Sequence, residues 1–316
     1  IDGISHAENQ RLLDPKMKYL FNRATYGSYN PGSTFKIVTA LACFEHGILT
    51  TQNVDDRIRT LGYYRIGRNH DIDDTAPAGE YNFNRAFIKS SNAYFIEYGL
   101  RLGIDSLLDY ARRLHLGEKP GLRLNEEATG IIPDVADVPA GGLKGKTANL
   151  SIGQELTVTP VQLAMVMAAV ANGGTVYWPR LIDRFEPGDP LSSEPAEHVR
   201  PAQVRTQLPI QREHLAILHA AMRDDVAMDE GTGKGARVRD FAVCGKTGTA
   251  EIKAGRRVID RITWFSSFAP YESPRYAVVV MVESGASGGG TCAPVARRIY
   301  EHLRDRERGT VAQNSN

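Results

Sequence analysis

Phe241-Ala242-Val243-Cys244-Gly245-Lys246-Thr247-Gly248-Thr249-Ala250-Glu251 is the stretch on which the fold turns. Two readings compete for it. Gly245-Lys246-Thr247 ends like a phosphate loop, in which backbone amides cradle phosphates at the start of a helix. That loop needs its first glycine at position 240, where Asp240 stands, and a helix directly afterwards; neither is present. Gly145-Lys146-Thr147 fails in the same way at Ala140. The other reading is a strand. Phe241 to Glu251, Ile262 to Ala269 and Tyr276 to Glu283 have strand-like composition and are separated by short turns around Ala254-Gly255 and Tyr271 to Arg275. An antiparallel meander is predicted.

Beyond the meander, Ala293 to Leu303 places Ala296, Ile299, Tyr300 and Leu303 on one helical face suited to packing on the sheet. The tail from Arg308 is expected to fray. Arg297, Arg298, Arg304 and Arg306 alternate with Glu and Asp and read as a solvated face. Before the meander, Gln211 to Val226 reads as a helix. Phe185 to Val204 is rich in Pro, Glu and Ser and reads as a surface loop or lobe connection, where a lobe boundary is placed. Asn30 to Asn172 is mainly helical in pattern. One helix runs from Ser33 to His46 and stops at Gly47. Another starts at Thr159-Pro160-Val161-Gln162, which has capping-box spacing with proline at the first helical position, and stops at Asn172-Gly173. Its Val161, Met165, Ala168 and Ala169 recur at helical spacing and are expected in the core.

The chain has 316 residues, 42% of them hydrophobic, enough for one large domain or two lobes. Lys plus Arg (38) nearly balances Asp plus Glu (37), so the basic excess that a phosphate backbone demands is missing and nucleic acid is excluded as a partner. The longest apolar run, Leu163 to Ala171, is far short of the roughly 20 residues that cross a bilayer, and the chain as given is expected to be soluble. Cys43, Cys244 and Cys292 are an odd set without CxxC spacing, and read as small buried residues rather than a disulfide or zinc framework. His70, Asp71, Asp73 and Asp74 could gather round a metal, but loop carboxylates are more often solvated turn residues; no metal or other cofactor is predicted. Gly285-Ala286-Ser287-Gly288-Gly289 fits a GxSxG nucleophile elbow. That elbow needs an acid and then a histidine downstream, whereas His302 is the sole later histidine and Glu301 beside it points elsewhere on the helix. A glycine-rich turn is the better reading.

Three short signals carry chemistry. Pro31-Gly32-Ser33-Thr34-Phe35-Lys36 opens an apolar helix, and residues three apart share a helical face, so the Ser33 hydroxyl and the Lys36 amine can meet. A serine becomes a nucleophile beside a base, and lysine is a base only when neutral. Moving a lysine from about 10.4 to about 7 costs roughly 4 to 5 kcal/mol, for which burial and a second cation are the available causes. Ser90-Ser91-Asn92 lies at a break between helical stretches and offers a hydroxyl and a carboxamide. Alone it is weak, since Ser28-Tyr29-Asn30 has the same form. Lys246-Thr247-Gly248-Thr249 puts a cation and hydroxyls on a strand edge, and Gly248 lets a substrate backbone approach. SxxK, then SxN, then KTG, in that order and setting, is a specific combination.

At these residues the sequence resembles the transpeptidase domain of class B penicillin-binding proteins. Phe21-Asn22-Arg23-Ala24-Thr25, Asn149-Leu150-Ser151-Ile152-Gly153-Gln154, Trp264-Phe265 and Val282-Glu283-Ser284-Gly285 support the likeness, which covers about residues 15 to 305. The Asn22 to Lys36 stretch and the overall spacing are most similar to the elongation-type, rod-shape penicillin-binding protein 2 group. The resemblance implies an α+β, penicillin-binding/serine β-lactamase-like fold: an antiparallel sheet flanked by helices, with a mainly helical second lobe. It implies a transpeptidase domain over residues 1–305, shortened at its N-terminus by a strand, a pedestal domain and a membrane anchor, and a flexible tail over residues 306–316. By residue, it makes Ser33 the nucleophile, Lys36 its base, Ser90 the proton relay, Asn92 the holder of Lys36 and of the substrate amide, and Lys246 the source of positive potential. Thr247 and Thr249 would bind a terminal carboxylate beside Gly248, and the backbone N–H groups of Ser33 and Thr249 would form the oxyanion hole. The implied activity is D,D-transpeptidation of peptidoglycan stem peptides ending in D-Ala-D-Ala, with β-lactams as inhibitors. A membrane glycosyltransferase of the cell-elongation machinery is the implied partner, at the extracytoplasmic face of the bacterial inner membrane. A class D-like serine β-lactamase and a β-lactam sensor domain share this acylation machinery and are the alternatives.

Overall fold

A computed structural model describes residues 3–68, 70–136, 138–189, 194–255 and 257–314. The short helix α1 (His6–Leu12) is capped by Ser5, whose hydroxyl accepts from Glu8 N. Gly32–Phe35 forms a tight 3-10 turn that runs into α2 (Lys36–Glu45), so the helix expected from Ser33 begins with a narrower turn. Between α2 and the next helix lie β1 (Ile58–Thr60), β2 (Tyr63–Gly67), β3 (His70–Asp73) and β4 (Gly79–Tyr81), paired β1 with β4 and β2 with β3. This corrects the helical reading of the region. Tyr64, Ile66 and Ile72 pack on the core from the β2–β3 ladder, a patch too short to impose a legible period.

The helices α3 (Phe83–Ile88) and α4 (Asn92–Leu102) flank Ser90-Ser91, with Asn82 and Ser91 as their side-chain caps. Next come α5 (Ile104–Arg113), α6 (Ala140–Ser151) and α7 (Pro160–Ala171); Thr159 and Gln162 close the predicted capping box at the start of α7. The buried face of α7 is Leu163, Val166, Met167, Ala169 and Val170. Of the four expected core positions only Ala169 is fully buried; Val161, Met165 and Ala168 are half-buried. Because α7 is apolar nearly all round, spacing alone could not select the face.

After α7, β5 (Thr175–Tyr177) pairs with β8 (Val204–Gln207), and an exposed excursion with β6 (Arg184–Phe185) and β7 (Glu197–His198) lies between them. The predicted surface loop is there, but not the lobe boundary: α7 before it and α8 (Arg212–Ala227) after it both pack on the central sheet. That sheet is β9 (Cys244–Ala254), β10 (Arg257–Ala269) and β11 (Tyr276–Glu283), antiparallel in the order β11-β10-β9, the expected meander.

Strand β10 is central, and its alternation sorts two cores. Trp264 and Phe268 point to the cluster shared with α2, α4, α5, α7 and α8, while Phe265 and Ala269 point to a second cluster under the last helix, α9 (Ala293–Asn314). The α9 stripe is Ala293, Ala296, Tyr300 and Leu303. Ile299 lies off it and is 38% exposed, correcting the expected face. Helix α9 continues past Arg308 to Asn314, and the last two residues of the expected tail lie outside the described residues. Glu307 pairs with Arg275 at 3.0 Å, Arg304 donates to Arg239 O at 3.1 Å, and Arg308 reaches Asp240 at 3.5 Å.

Gly153 joins the helical lobe to the turn that carries Ser33. Its carbonyl accepts from Gly32 N at 3.1 Å, its φ is +79°, and a Cβ there would lie 2.2 Å from Gly32 O. Gly153→Ala meets left-handed strain and a backbone clash together. It should destabilise the fold by about 2–4 kcal/mol in urea unfolding; a change under about 0.5 kcal/mol would show that the turn does not depend on this contact.

Candidate active site

Two backbones meet here because glycine stands on each side of the contact. Gly32 has φ +52°, and a Cβ on it would lie 2.9 Å from Thr249 O; a Cβ on Gly248 would lie 2.7 Å from Pro31 O. The SxxK turn therefore sits against the KTG strand with no side chain between them. From the far side, Trp264 Nε1 donates to Asn30 O at 2.9 Å, and Asn30 Nδ2 donates to Gln154 O and Leu156 O. Tyr29 and Arg23 both bond the Glu283 carboxylate, at 2.7 and 2.8 Å. These bonds tie the segment before Ser33 to β10, to the end of β11 and to the loop after α6.

Lys36 is 0% exposed. Its Nζ donates to Ser90 O at 2.6 Å and Asn92 Oδ1 at 2.8 Å, and lies 3.3 Å from Ser90 Oγ. Burial, and then the nearby Lys246 ammonium, hold this amine well below the ordinary lysine range, with Asp74 opposing them. The Ser33 hydroxyl, half-buried at the lip of the same turn, makes no hydrogen bond among the described residues.

Ser90 and Asn92 reach Lys36 because the α3–α4 break is clamped. Ser91 caps α4 by accepting from Tyr94 N and donates to Asp74 Oδ2 at 2.7 Å. Asn92 N donates to Asp74 Oδ1 at 2.5 Å and Asn92 Nδ2 to Asp73 O at 2.9 Å. Asp73 and Asp74, weighed above as metal ligands, thus orient the SxN segment instead, and Asp71 pairs with Arg65 at 3.0 Å. Among the described residues no three of His, Cys, Asp and Glu are gathered for a metal.

Lys246 is also 0% exposed, and its Nζ has no hydrogen-bond partner among the described residues. It lies 5.5 Å from the centre of the Phe87 ring; burial lowers its proton affinity and the Asp225 carboxylate raises it. Thr247 Oγ1 donates to Thr232 Oγ1 at 2.7 Å, and Thr249 Oγ1 accepts from Gly288 N at 3.3 Å. Ser287, of the rival elbow, caps the turn at Gly288–Cys292 by accepting from Gly290 N. Ser90 and Asn92 thus meet Lys36 by hydrogen bonds, Lys246 lies within its electrostatic reach, and the Gly32–Thr249 and Gly248–Pro31 contacts bring the turn that carries Ser33 against the strand that carries Thr247, Gly248 and Thr249. Sequence reasoning missed Thr232 and Asp225. The available signal was a carboxylate on the apolar stripe Leu215, Leu218 and Met222 of α8.

Residues 4–301 match the penicillin binding protein transpeptidase domain. The chain belongs to that family. It is 30% identical to the peptidoglycan D,D-transpeptidase MrdA of Acinetobacter baumannii, over 96% of this chain and 46% of that protein. It is 32% identical to the peptidoglycan D,D-transpeptidase PbpA of Mycobacterium tuberculosis, over 92% of this chain and 58% of that one. The chain spans about half the length of the curated relatives it matches. Among solved structures, Pseudomonas aeruginosa PBP2 in complex with WCK 5153 superposes with a TM-score of 0.79 at 28% identity, covering 95% of this chain and 67% of that one. PBP3 of Mycobacterium tuberculosis complexed with aztreonam gives 0.79 at 28%, covering 92% and 65%. The antiparallel sheet with flanking helices is thus the penicillin-binding transpeptidase fold.

Asp74→Ala should leave the Ser91 hydroxyl and the Asn92 N–H without acceptors in a closed site. A loss of about 1–3 kcal/mol in chemical unfolding is expected; stability equal to the parent's would mean that the clamp does not hold the α3–α4 break.

Proposed function

We propose that this transpeptidase domain acts as a D,D-transpeptidase that cross-links peptidoglycan stem peptides through an acyl-enzyme on Ser33, and that β-lactams acylate the same oxygen. The observation that carries the reading is Lys36: fully buried, held by two carbonyl-type acceptors, and beside a second buried lysine. Burial and the second lysine let this amine shed its proton against the pull of its two acceptors, so that it can take one from Ser33.

In the proposed course, Ser33 Oγ attacks the carbonyl of the penultimate D-alanine while its proton passes to Lys36 Nζ. The tetrahedral oxyanion is met by the backbone N–H groups of Ser33 and Thr249, where one donor is typically worth on the order of 3 kcal/mol. Collapse breaks the C–N bond, and the proton held by Lys36 passes through the Ser90 hydroxyl, 3.3 Å away, to the departing D-alanine amine. An acceptor amine then attacks the ester, and the same path runs in reverse. Asn92 holds Lys36 and the substrate amide. Lys246, Thr247 and Thr249 receive the terminal carboxylate, with Gly248 keeping the strand edge open to the peptide backbone.

MrdA and PbpA are named peptidoglycan D,D-transpeptidases, and the Mycobacterium tuberculosis PBP3 is solved with ampicillin as well as aztreonam. Likeness to PBP2 and MrdA proteins supports an elongation-type role, and PBP2 of Helicobacter pylori is solved in complex with MreC. We extend this to a membrane glycosyltransferase partner and to a place at the extracytoplasmic face of the inner membrane. Among the described residues no helix is long and apolar enough to cross a membrane.

Incubation with a labelled penicillin and intact-mass readout tests the assignment. A persistent adduct on Ser33, abolished in Ser33→Ala, is expected; an adduct on another residue overturns it, and rapid loss of label identifies a β-lactamase. Lys36→Ala should slow acylation by about 10²–10⁴-fold while non-covalent binding changes little. Since Lys36 works only when neutral and burial favours that form, acylation should fall on acidification through a limb well below the ordinary lysine value of about 10.4. A limb at the ordinary value would remove Lys36 as the base.

A further inference from the structure

Two buried lysines in one site raise a question of charge. Lys36 and Lys246 are both fully enclosed, and each disfavours the ammonium form of the other. In such a pair one proton is much easier to keep than two. The acylation reading requires the remaining charge to sit on Lys246, yet the immediate surroundings favour Lys36. Lys36 has two strong acceptors, and Asp74 lies behind it. The Lys246 amine has no hydrogen-bond partner among the described residues. Something else must break the tie.

Asp225 lies on the buried face of α8, beneath β9, and is 0% exposed. Its Oδ1 accepts from Thr232 N at 2.9 Å and from Thr232 Oγ1 at 2.7 Å, while Oδ2 has no partner among the described residues. Thr232 in turn accepts from Thr247 Oγ1 at 2.7 Å, so one carboxylate reaches the KTG strand both through space and through a hydroxyl. The surrounding charges are already matched. Asp224 is held by Arg223 and Asn84, Lys89 pairs with Glu230 at 3.0 Å, and Arg237 with Asp229 at 3.1 Å. Asp74 is engaged by Ser91 and Asn92 on the Lys36 side. Burial pushes the Asp225 carboxyl up and Lys246 draws it down, while Asp225 draws Lys246 up, so each favours the ionised form of the other.

We propose that Asp225 is a positioning residue that keeps the shared positive charge of the two lysines on Lys246, leaving Lys36 neutral, and that it fixes the Thr247 hydroxyl through Thr232. The proposal rests on the reading of Ser33 and Lys36 as the acylating pair. Its sign is definite. Without the Asp225 charge Lys246 gives up its proton first, Lys36 no longer faces a cation and keeps its own, and the base is lost in the range where the parent works.

Asp225→Asn keeps an oxygen for Thr232 and removes the charge. Acylation by a labelled penicillin, followed by quenched flow across pH, should show the acidic limb displaced upward and the neutral-pH rate reduced about tenfold for each unit of displacement. Thr232→Val leaves the charge and removes the hydroxyl bridge. It should weaken capture of a carboxylate-bearing ligand several-fold relative to a carboxylate-free one, with the limb in place. An unmoved limb in Asp225→Asn overturns the proposal. A second readout needs neither acylation nor Asp225→Asn: ¹³C-lysine NMR titration of the parent, with signals assigned through Lys36→Arg and Lys246→Arg. Lys246 charged and Lys36 neutral near pH 7 is the expected result, and the reverse overturns the proposal even where Ser33 takes up no label. Absence of label on Ser33 strikes the acylation reading alone.

Discussion

Enclosing two amines in one buried site is the constraint on which the rest of this structure depends. A buried lysine is costly, and two within each other's field are more so; the arrangement survives because each amine is approached from a different element. Lys36 comes from the first turn of α2 and Lys246 from the first half of β9. The elements can close on each other only where Gly32 and Gly248 permit backbone contact. A side chain at either glycine would separate the lysines and admit water, and with water the depression of Lys36 would go.

That closeness has to be held against the repulsion it creates. The holding is done at a distance from the charges, by Trp264 on Asn30, by Tyr29 and Arg23 on Glu283, and by Asn30 on the loop after α6. Strand β10 makes it rigid. Its alternation puts Trp264 into one core and Phe265 into the other, so a register slip of one residue would send each ring into the core shaped for the other. The meander is thus the rigid half of the site, and the helical lobe brings Lys36, Ser90 and Asn92 to it.

Local relations were the legible ones in the sequence. Ser33 and Lys36 share a face by helical period, and the KTG segment announces a strand because a short turn and a second strand-like run come directly after it. Thr159 and Gln162 mark a helix start by their own spacing, and they make both bonds of that box. Relations across the chain were not legible. Ser28-Tyr29-Asn30 and Ser90-Ser91-Asn92 look alike, yet Ser28 bonds Thr157 and Asn30 anchors a loop, while Ser90 and Asn92 hold Lys36. Asp74 looked like one of a group of loop carboxylates because its partners lie 17 and 18 residues further on. The β2–β3 ladder was hidden by its shortness, and the face of α7 by an excess of apolar residues that made every face plausible.

Ser90 shows how the clamp and the chemistry are joined. It is not glycine, yet its φ is +56°, a left-handed conformation that costs roughly 1–2 kcal/mol for an ordinary residue. The turn directs its carbonyl inward, where it accepts from both Lys36 Nζ and Thr75 Oγ1. A Ser90 in the usual right-handed region would continue α3 and turn that carbonyl along the helix axis, leaving Lys36 with Asn92 Oδ1 alone. The Ser91 cap and the Asp74 clamp begin α4 directly after the turn and so hold it open. The strain is therefore a condition of presenting a carbonyl, a hydroxyl and a carboxamide to one buried amine within three consecutive residues.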